Sequence, residues 1–157
     1  MATGSWDNTT IVYDIVNENL CYKITSHSHP VNDVLFVRPS NSSGLCLLTA
    51  SSDKYIILWG LSALSDSNLR VGGSPPQLRT FIGHEDCVRG LYQSPTSTDL
   101  FYSVSNDQFI HCWNINDGNK LQTMCGHLHF IYTIARISDN RFMTSGEDTT
   151  IRVWDQV

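Results

Sequence analysis

The chain has 157 residues, 41% of them apolar and 16% charged, and carries a net charge of −5. This length supports one domain with a sizeable core, and the balance of apolar and charged residues excludes a disordered chain. Its ten Lys and Arg form no cluster, which argues against a nucleic-acid-binding face. Its longest apolar runs, such as Tyr55 to Trp59, are far too short to span a membrane.

The five cysteines, Cys21, Cys46, Cys87, Cys112 and Cys125, are odd in number and lack C-x-x-C spacing. Free thiols in a reducing compartment are therefore expected, rather than disulfides or a zinc site. The start, Met-Ala-Thr-Gly-Ser-Trp-Asp, has neither the basic nor the apolar region of a signal peptide. A cytosolic or nuclear setting follows as the expectation, and the glycosylation patterns at Asn8 and Asn41 read as chance matches.

In chain order the predicted elements are all strands. Alternating sequence near residues 9–15 and 19–25 forms the first pair. In the polar turn before it, Asp7 stands six residues ahead of Tyr13 and four behind Thr3. A second stretch opens on His27, four residues before Val31, and repeats those offsets at Thr49, Asp53 and Trp59. Within it, roughly Ser62 to Gln77 is rich in Ser, Gly and Pro, which predicts a surface loop. A third stretch keeps the spacing through His84, Val88, Ser103, Asp107 and Trp113, and its Asp117-Gly118 predicts a hairpin turn. A fourth runs through His127, Ile131, Thr144, Asp148 and Trp154, with three strands before the last residue. Copies at fixed offsets mark a repeat protein of about thirteen strands.

This arrangement resembles the WD-repeat family, whose blades begin near Gly-His and end near Trp-Asp. Gly83-His84 and Gly126-His127 keep the opening pair, while Ser26 precedes His27. The closing pairs are Tyr13-Asp14, Trp59-Gly60, Trp113-Asn114 and Trp154-Asp155. Trp6-Asp7 lies in the turn before a third strand and is not a closing pair. The resemblance implies an all-β fold, a WD40-type β-propeller that is partial, with about three and a quarter blades of four-stranded antiparallel sheet. Residues 1–25 would end a preceding blade, 26–82 and 83–125 would form two blades, and 126–157 an incomplete last one. Propellers close with four to eight blades, so completion by missing chain or by another copy is expected.

The resemblance also implies a hydrogen-bond relay in each blade, in which the turn Asp, the His ring, a Ser or Thr hydroxyl and the Trp indole satisfy one another. The sets are His27, Thr49, Asp53 and Trp59; His84, Ser103, Asp107 and Trp113; and His127, Thr144, Asp148 and Trp154. Their role is structural, because each is a buried polar group that would be costly alone. Ser, His and Asp are also the ingredients of a catalytic triad, but an active site is single and irregular whereas these recur with the repeat. His27-x-His29 and His127-x-His129 could present two imidazoles on one strand face, yet no third ligand has useful spacing. No phosphate loop or hydrolase signature is present. No catalytic residue, metal or cofactor is expected.

Surface recognition remains. Loops entering first strands and turns before third strands would gather on one rim. That rim would hold Ser28, His29 and Pro30; Glu85, Asp86 and Cys87; Leu128, His129 and Phe130; and Trp6, Ser52, Asn106 and Glu147. Trp6 and Phe130 stand out, because exposed aromatics are enriched among binding hot spots; packing between blades is the alternative for Trp6, and cover for a strand edge the alternative for Phe130.

The string Gly83-His84-Glu85-Asp86-Cys87-Val88-Arg89-Gly90-Leu91 resembles the phospholipase A2-activating protein family, the ubiquitin-homeostasis propellers. Gly4-Ser5-Trp6-Asp7-Asn8-Thr9-Thr10, Gly126-His127 with Phe130-Ile131-Tyr132, and Glu147-Asp148 follow in the order of that family's middle blades. The resemblance implies a ubiquitin-binding rim and work in ubiquitin-dependent protein degradation with the segregase ATPase valosin-containing protein. Contact with that ATPase is expected only through domains that these residues do not include. No lipase chemistry, nucleic-acid surface or membrane-binding stretch accompanies the match. A general scaffold for some other protein partner is the alternative function.

Overall fold

Short runs of β-branched and aromatic residues, each ended by an Asp, Asn or Gly turn, become strands because neighbouring runs can pair through tight hairpins. The computed structural model describes residues 1–42, 44–61 and 73–156. Among these residues fourteen strands form four antiparallel sheets. The first holds β1 (Ala2–Gly4), β2 (Thr10–Asp14) and β3 (Asn19–Ile24). The second holds β4 (Val31–Val37), β5 (Cys46–Ser51), β6 (Ile56–Gly60) and β7 (Gln77–Phe81). The third holds β8 (Val88–Gln93), β9 (Leu100–Ser105), β10 (Ile110–Asn114) and β11 (Lys120–Met124). The fourth holds β12 (Ile131–Ser138), β13 (Arg141–Gly146) and β14 (Ile151–Asp155). Within each sheet the order follows the chain.

One strand more is present than the sequence count of about thirteen. The addition is β1, whose three residues pair with Thr10 to Val12 and carry no alternation that a sequence would show. The predicted loop from Ser62 to Gln77 lies mostly outside the described residues; at its far end Gly73 forms a parallel bridge to Tyr22, and Gln77 already belongs to β7. Among the described residues no helix is long and apolar enough to cross a membrane.

The sheets stack face to face through three apolar clusters. Val12, Cys21 and Ile24 of the first sheet meet Leu47, Ile57 and Trp59 of the second. Leu48, Ala50 and Leu58 of the second meet Val88, Phe101 and Trp113 of the third. Tyr102, Val104 and Ile110 of the third meet Ile131 and Phe142 of the fourth. Strand β5 therefore buries every residue, whereas β13, with a neighbouring sheet on one face alone, alternates between buried and more open positions. The first strands run together at the hub, where β4 contacts β8 and β8 contacts β12, and β1, a second strand by the repeat, closes against β4.

One turn recurs in all four sheets. Asn8, Lys54, Gln108 and Thr149 each follow the turn Asp, and each has a positive φ of 69, 78, 75 and 61°. Their amides donate to Ser5, Ser51, Ser105 and Gly146 carbonyls at 3.2–3.3 Å, closing a tight hairpin whose last residue is left-handed. Thr149 is the β-branched member of this set and the most strained by that backbone. Thr149→Gly is expected to raise stability by about 1 kcal/mol, seen as a melting temperature higher by a few degrees; an unchanged or lower value would show that the Thr side chain offsets its strain.

Candidate functional site

The turn aspartates do two jobs with two oxygens. Oδ1 accepts the amide two residues on, from Thr9, Tyr55, Phe109 and Thr150, at 3.0–3.1 Å, and so pins the left-handed residue between. In the last three sheets Oδ2 accepts a histidine Nδ1: His27 to Asp53 at 2.8 Å, His84 to Asp107 at 2.6 Å and His127 to Asp148 at 2.7 Å. The same oxygen takes the next backbone amide, from Ser28, Glu85 and Leu128, at 3.0–3.1 Å. One carboxylate thus ties the loop before a first strand to the turn before the third.

The far side of each imidazole meets a hydroxyl: Nε2 lies 2.7 Å from Thr49, Ser103 and Thr144 oxygens. Those oxygens accept the indole N–H of Trp59, Trp113 and Trp154 at 2.8–3.0 Å. With a neutral imidazole the chain runs one way, indole to hydroxyl, hydroxyl to Nε2, and Nδ1–H to carboxylate. Glycine before the histidine has a steric reason: a Cβ would sit 3.0 Å from the Trp113 ring at Gly83 and 2.9 Å from the Trp154 ring at Gly126. Burial pushes the Asp107 and Asp148 carboxyls upward, but the bonds they accept outweigh it and hold both below the usual carboxylate range.

These sets have the hydrogen bonds of a Ser-His-Asp triad without its access. Ser103 and Thr49 are fully buried and their oxygens are occupied by indole N–H groups. A nucleophile must reach a substrate carbonyl, and these cannot. The first sheet carries no such set: Asp7 caps its own turn on Thr9, Thr3 is exposed, and the Tyr13 hydroxyl donates to the Glu18 carbonyl at 2.7 Å.

The loops weighed as a rim are brought together by backbone bonds. Ser52 donates to Pro30 at 2.9 Å, Asn106 to Cys87 at 3.0 Å and Glu147 to Phe130 at 2.8 Å. Across sheets, Asn8 Nδ2 donates to the Ser28 carbonyl and Asn32 Nδ2 to the Val88 carbonyl at 2.7 Å. Trp6 is 87% exposed, and Ser28, His29, Glu85, Leu128, His129 and Glu147 are exposed as well. Asp86, Cys87, Ser52, Pro30 and Phe130 are half-buried. Asn106 departs from the surface role proposed for it: it is buried, and its Oδ1 accepts Arg89 Nε at 2.8 Å. His29 and His129 lie in bends before β4 and β12 rather than on a strand face, so neither shares a strand with His27 or His127.

One feature is not periodic. His111, on β10, stacks on His84 with ring centroids 4.2 Å apart and planes 20° from parallel. Its equivalents in the second and fourth sheets are Ile57 and Arg152. The sequence signal for it is a polar residue in the otherwise apolar run Ile110-His111-Cys112-Trp113. His111, His84 and Asp107 bring potential metal-ligand atoms within 4.8 Å of one another. Stacked rings, however, aim their in-plane lone pairs side by side instead of at one point, and both His84 nitrogens are already bonded. The group does not fit a metal centre. The cysteines are free, with Cys21, Cys46 and Cys112 buried and Cys125 exposed.

Comparison with known proteins agrees with this repeat geometry. The family model "WD domain, G-beta repeat" matches residues 18–60, 75–114 and 118–155. Nuclear distribution protein PAC1 of Arthroderma otae is 31% identical over 163 aligned residues, covering 99% of this chain and 33% of that protein. Ubiquitin homeostasis protein lub1 of Schizosaccharomyces pombe is 40% identical over 78 residues, covering 49% of this chain and 10% of that protein. The crystal structure of the WD40 β-propeller domain of Doa1 has a TM-score of 0.77 at 32% identity, covering 98% of this chain and 46% of that one. The chain spans about a third of the length of its PAC1 relatives. With three matched repeats over most of its length, it belongs to the WD-repeat family as a partial WD40 β-propeller, the architecture of a protein-interaction scaffold.

Proposed function

We propose that this propeller segment binds ubiquitin through the rim formed by the loops before first strands and the turns before third strands, in service of ubiquitin-dependent protein degradation in the cytosol or nucleus. The observation that carries the reading is the 40% identity to a ubiquitin homeostasis protein over half the chain. The likeness of nearly the whole chain to the Doa1 propeller supports it. Trp6 gives the rim an anchor: a large, amphipathic side chain held out from a hydrogen-bonded turn and packed on little of its own protein.

Titration of isotope-labelled ubiquitin with the folded chain is expected to shift resonances on one face of ubiquitin, and Trp6→Ala to weaken that binding by about tenfold or more. No shifts from a folded chain would remove ubiquitin as the partner. The second reading, a scaffold for a different protein, is favoured by the PAC1 likeness, which extends over 99% of the chain. Loss of Trp6 would weaken binding in that case too, so the identity of the partner separates the two.

A further inference from the structure

The residues that lead into β7 are held at both ends. The Gly73 carbonyl accepts the Lys23 amide of β3 at 3.2 Å, and the Pro76 carbonyl accepts the Gly60 amide of β6 at 3.0 Å. Between those two bonds stand Ser74 and Pro75, in neither strand nor turn. Pro75 is buried and anchors the segment, while Ser74 is exposed and its hydroxyl makes no hydrogen bond among the described residues. The ring of Pro75 also bars Ser74 from the helical region and keeps its backbone extended.

An exposed hydroxyl on a short extended segment is what a protein kinase needs to bring an oxygen in line with the γ-phosphorus of ATP. The next residue narrows the kind of kinase. Pro75 has no N–H to offer, so the fitting enzyme is one whose substrate pocket takes a residue without that donor, a proline-directed kinase.

The chain holds a second Ser-Pro pair, Ser94-Pro95, and no Thr-Pro pair. The fold treats the two serines in opposite ways. Ser94 is 3% exposed, and its hydroxyl lies 2.9 Å from the Thr96 hydroxyl and donates to Gln156 Oε1 at 2.9 Å. It also accepts the Thr96 amide at 3.3 Å. A kinase can reach Ser94 only after that part of the third sheet opens.

We propose that Ser74 is a phosphorylation site for a proline-directed serine kinase, and that the fold selects it over Ser94. A P–O bond forms at Ser74 Oγ, the bond from the γ-phosphorus to the bridging oxygen of ATP breaks, ADP leaves, and the hydroxyl proton passes to the base of the kinase. The product carries a charge of about −1.5 to −2 beside the bridge between Gly73 and Tyr22, with Lys23 next along β3. The site lies on the connection between third and fourth strands and not on the loop rim, so the outcome of the ubiquitin titration leaves it untouched.

The test uses ATP with magnesium and a purified proline-directed kinase, chosen because it phosphorylates a synthetic peptide of residues 90–99. Its substrates are the peptide of residues 70–79 and the 157-residue chain, shown to be folded by circular dichroism. Phosphate is located by mass spectrometry of the digested product. Ser74 in the folded chain is expected to react within about tenfold of the rate in its peptide, and Ser94 at least about a hundredfold more slowly than in its own. Ser74→Ala is expected to remove the label from the folded chain, and Pro75→Ala in the 70–79 peptide to slow the reaction by about tenfold or more. Refusal of the 70–79 peptide overturns the proposal, as does a folded chain left unmodified at Ser74 while that peptide reacts. Modification of Ser74 and Ser94 at similar rates in the folded chain overturns it as well, since the fold would then select nothing.

Discussion

Asp107→Ala is expected to lower the unfolding free energy by about 3 kcal/mol, read from urea denaturation with an unchanged slope. The carboxylate accepts His84 Nδ1 at 2.6 Å and the Glu85 and Phe109 amides at 3.0 Å, and its side chain is nearly covered. Alanine leaves those donors without their acceptor, and an unmatched buried donor costs about 1–3 kcal/mol before water or relaxation recovers part of it. It also releases Gln108 from the bond that holds its left-handed backbone. Asp7→Ala is the control. That residue sits at the same offset but is exposed and bonds only within its own turn, so its loss is expected to cost less than about 1 kcal/mol. The difference between wild type and Asp107→Ala is also expected to shrink in acid. Asp107 is held below the usual carboxylate range in the fold, so its contribution is complete above the unfolded pKa and disappears as pH falls through the folded one. Equal losses at Asp7 and Asp107 would mean that the turn alone matters and the histidine bond contributes nothing.

That contrast also shows which parts of the molecule a sequence reveals. A relay that joins the loop before a first strand to two strands and the turn between them needs its members at set distances along the chain, since strand length and turn length fix where His27, Thr49, Asp53 and Trp59 can meet. Offsets conserved between sheets therefore carry three-dimensional information. Short or locally determined features do not. Strand β1 is too brief to alternate, and it is held by pairing to β2 and by the Tyr13 amide donating to the Met1 carbonyl at 2.8 Å. Asn106 occupies the same turn position as Trp6, Ser52 and Glu147, but Arg89 on β8 draws its side chain inward. The offsets of the repeat do not encode that, because it depends on which residue stands beside it on the neighbouring strand of the same sheet. Similarly, Asp33 is half-buried between sheets, where it accepts the Leu91 amide at 2.8 Å, and its loss of solvent pushes its carboxyl up. Its equivalent in the next sheet is Gly90, so the repeat itself gives no hint of it.

His111→Ile is expected to change how stability depends on pH more than it changes stability at neutrality. Ile57 occupies the same place in the second sheet, so an aliphatic side chain suits the geometry there. Burial drives the His111 pKa down to about 4, with the charges of His84 and Lys120 adding to the effect and Asp107 opposing it. An unfolded histidine takes its proton near 6.5. Between those values the unfolded chain binds the proton and the folded chain does not. The stabilisation is therefore complete above about pH 6.5 and is lost as pH falls toward 4. Removing the imidazole removes that slope, so at pH 5 the variant is expected to be more stable than wild type by about 2 kcal/mol, with near-equal values at pH 7.5. The bonds given up are modest: Nε2–H donates to the Gly83 carbonyl at 3.3 Å, and Nδ1 lies 3.2 Å from the hydroxyl of Thr123, which is exposed and can turn to water. Melting temperatures measured from pH 4.5 to 7.5 decide the matter. Asp107 and Asp148 titrate below the usual carboxylate range and so contribute little in that window. Parallel curves for the two proteins would mean that the His111 ring swings out of its stack to take its proton in water, and that the stack with His84 is weaker than its burial implies.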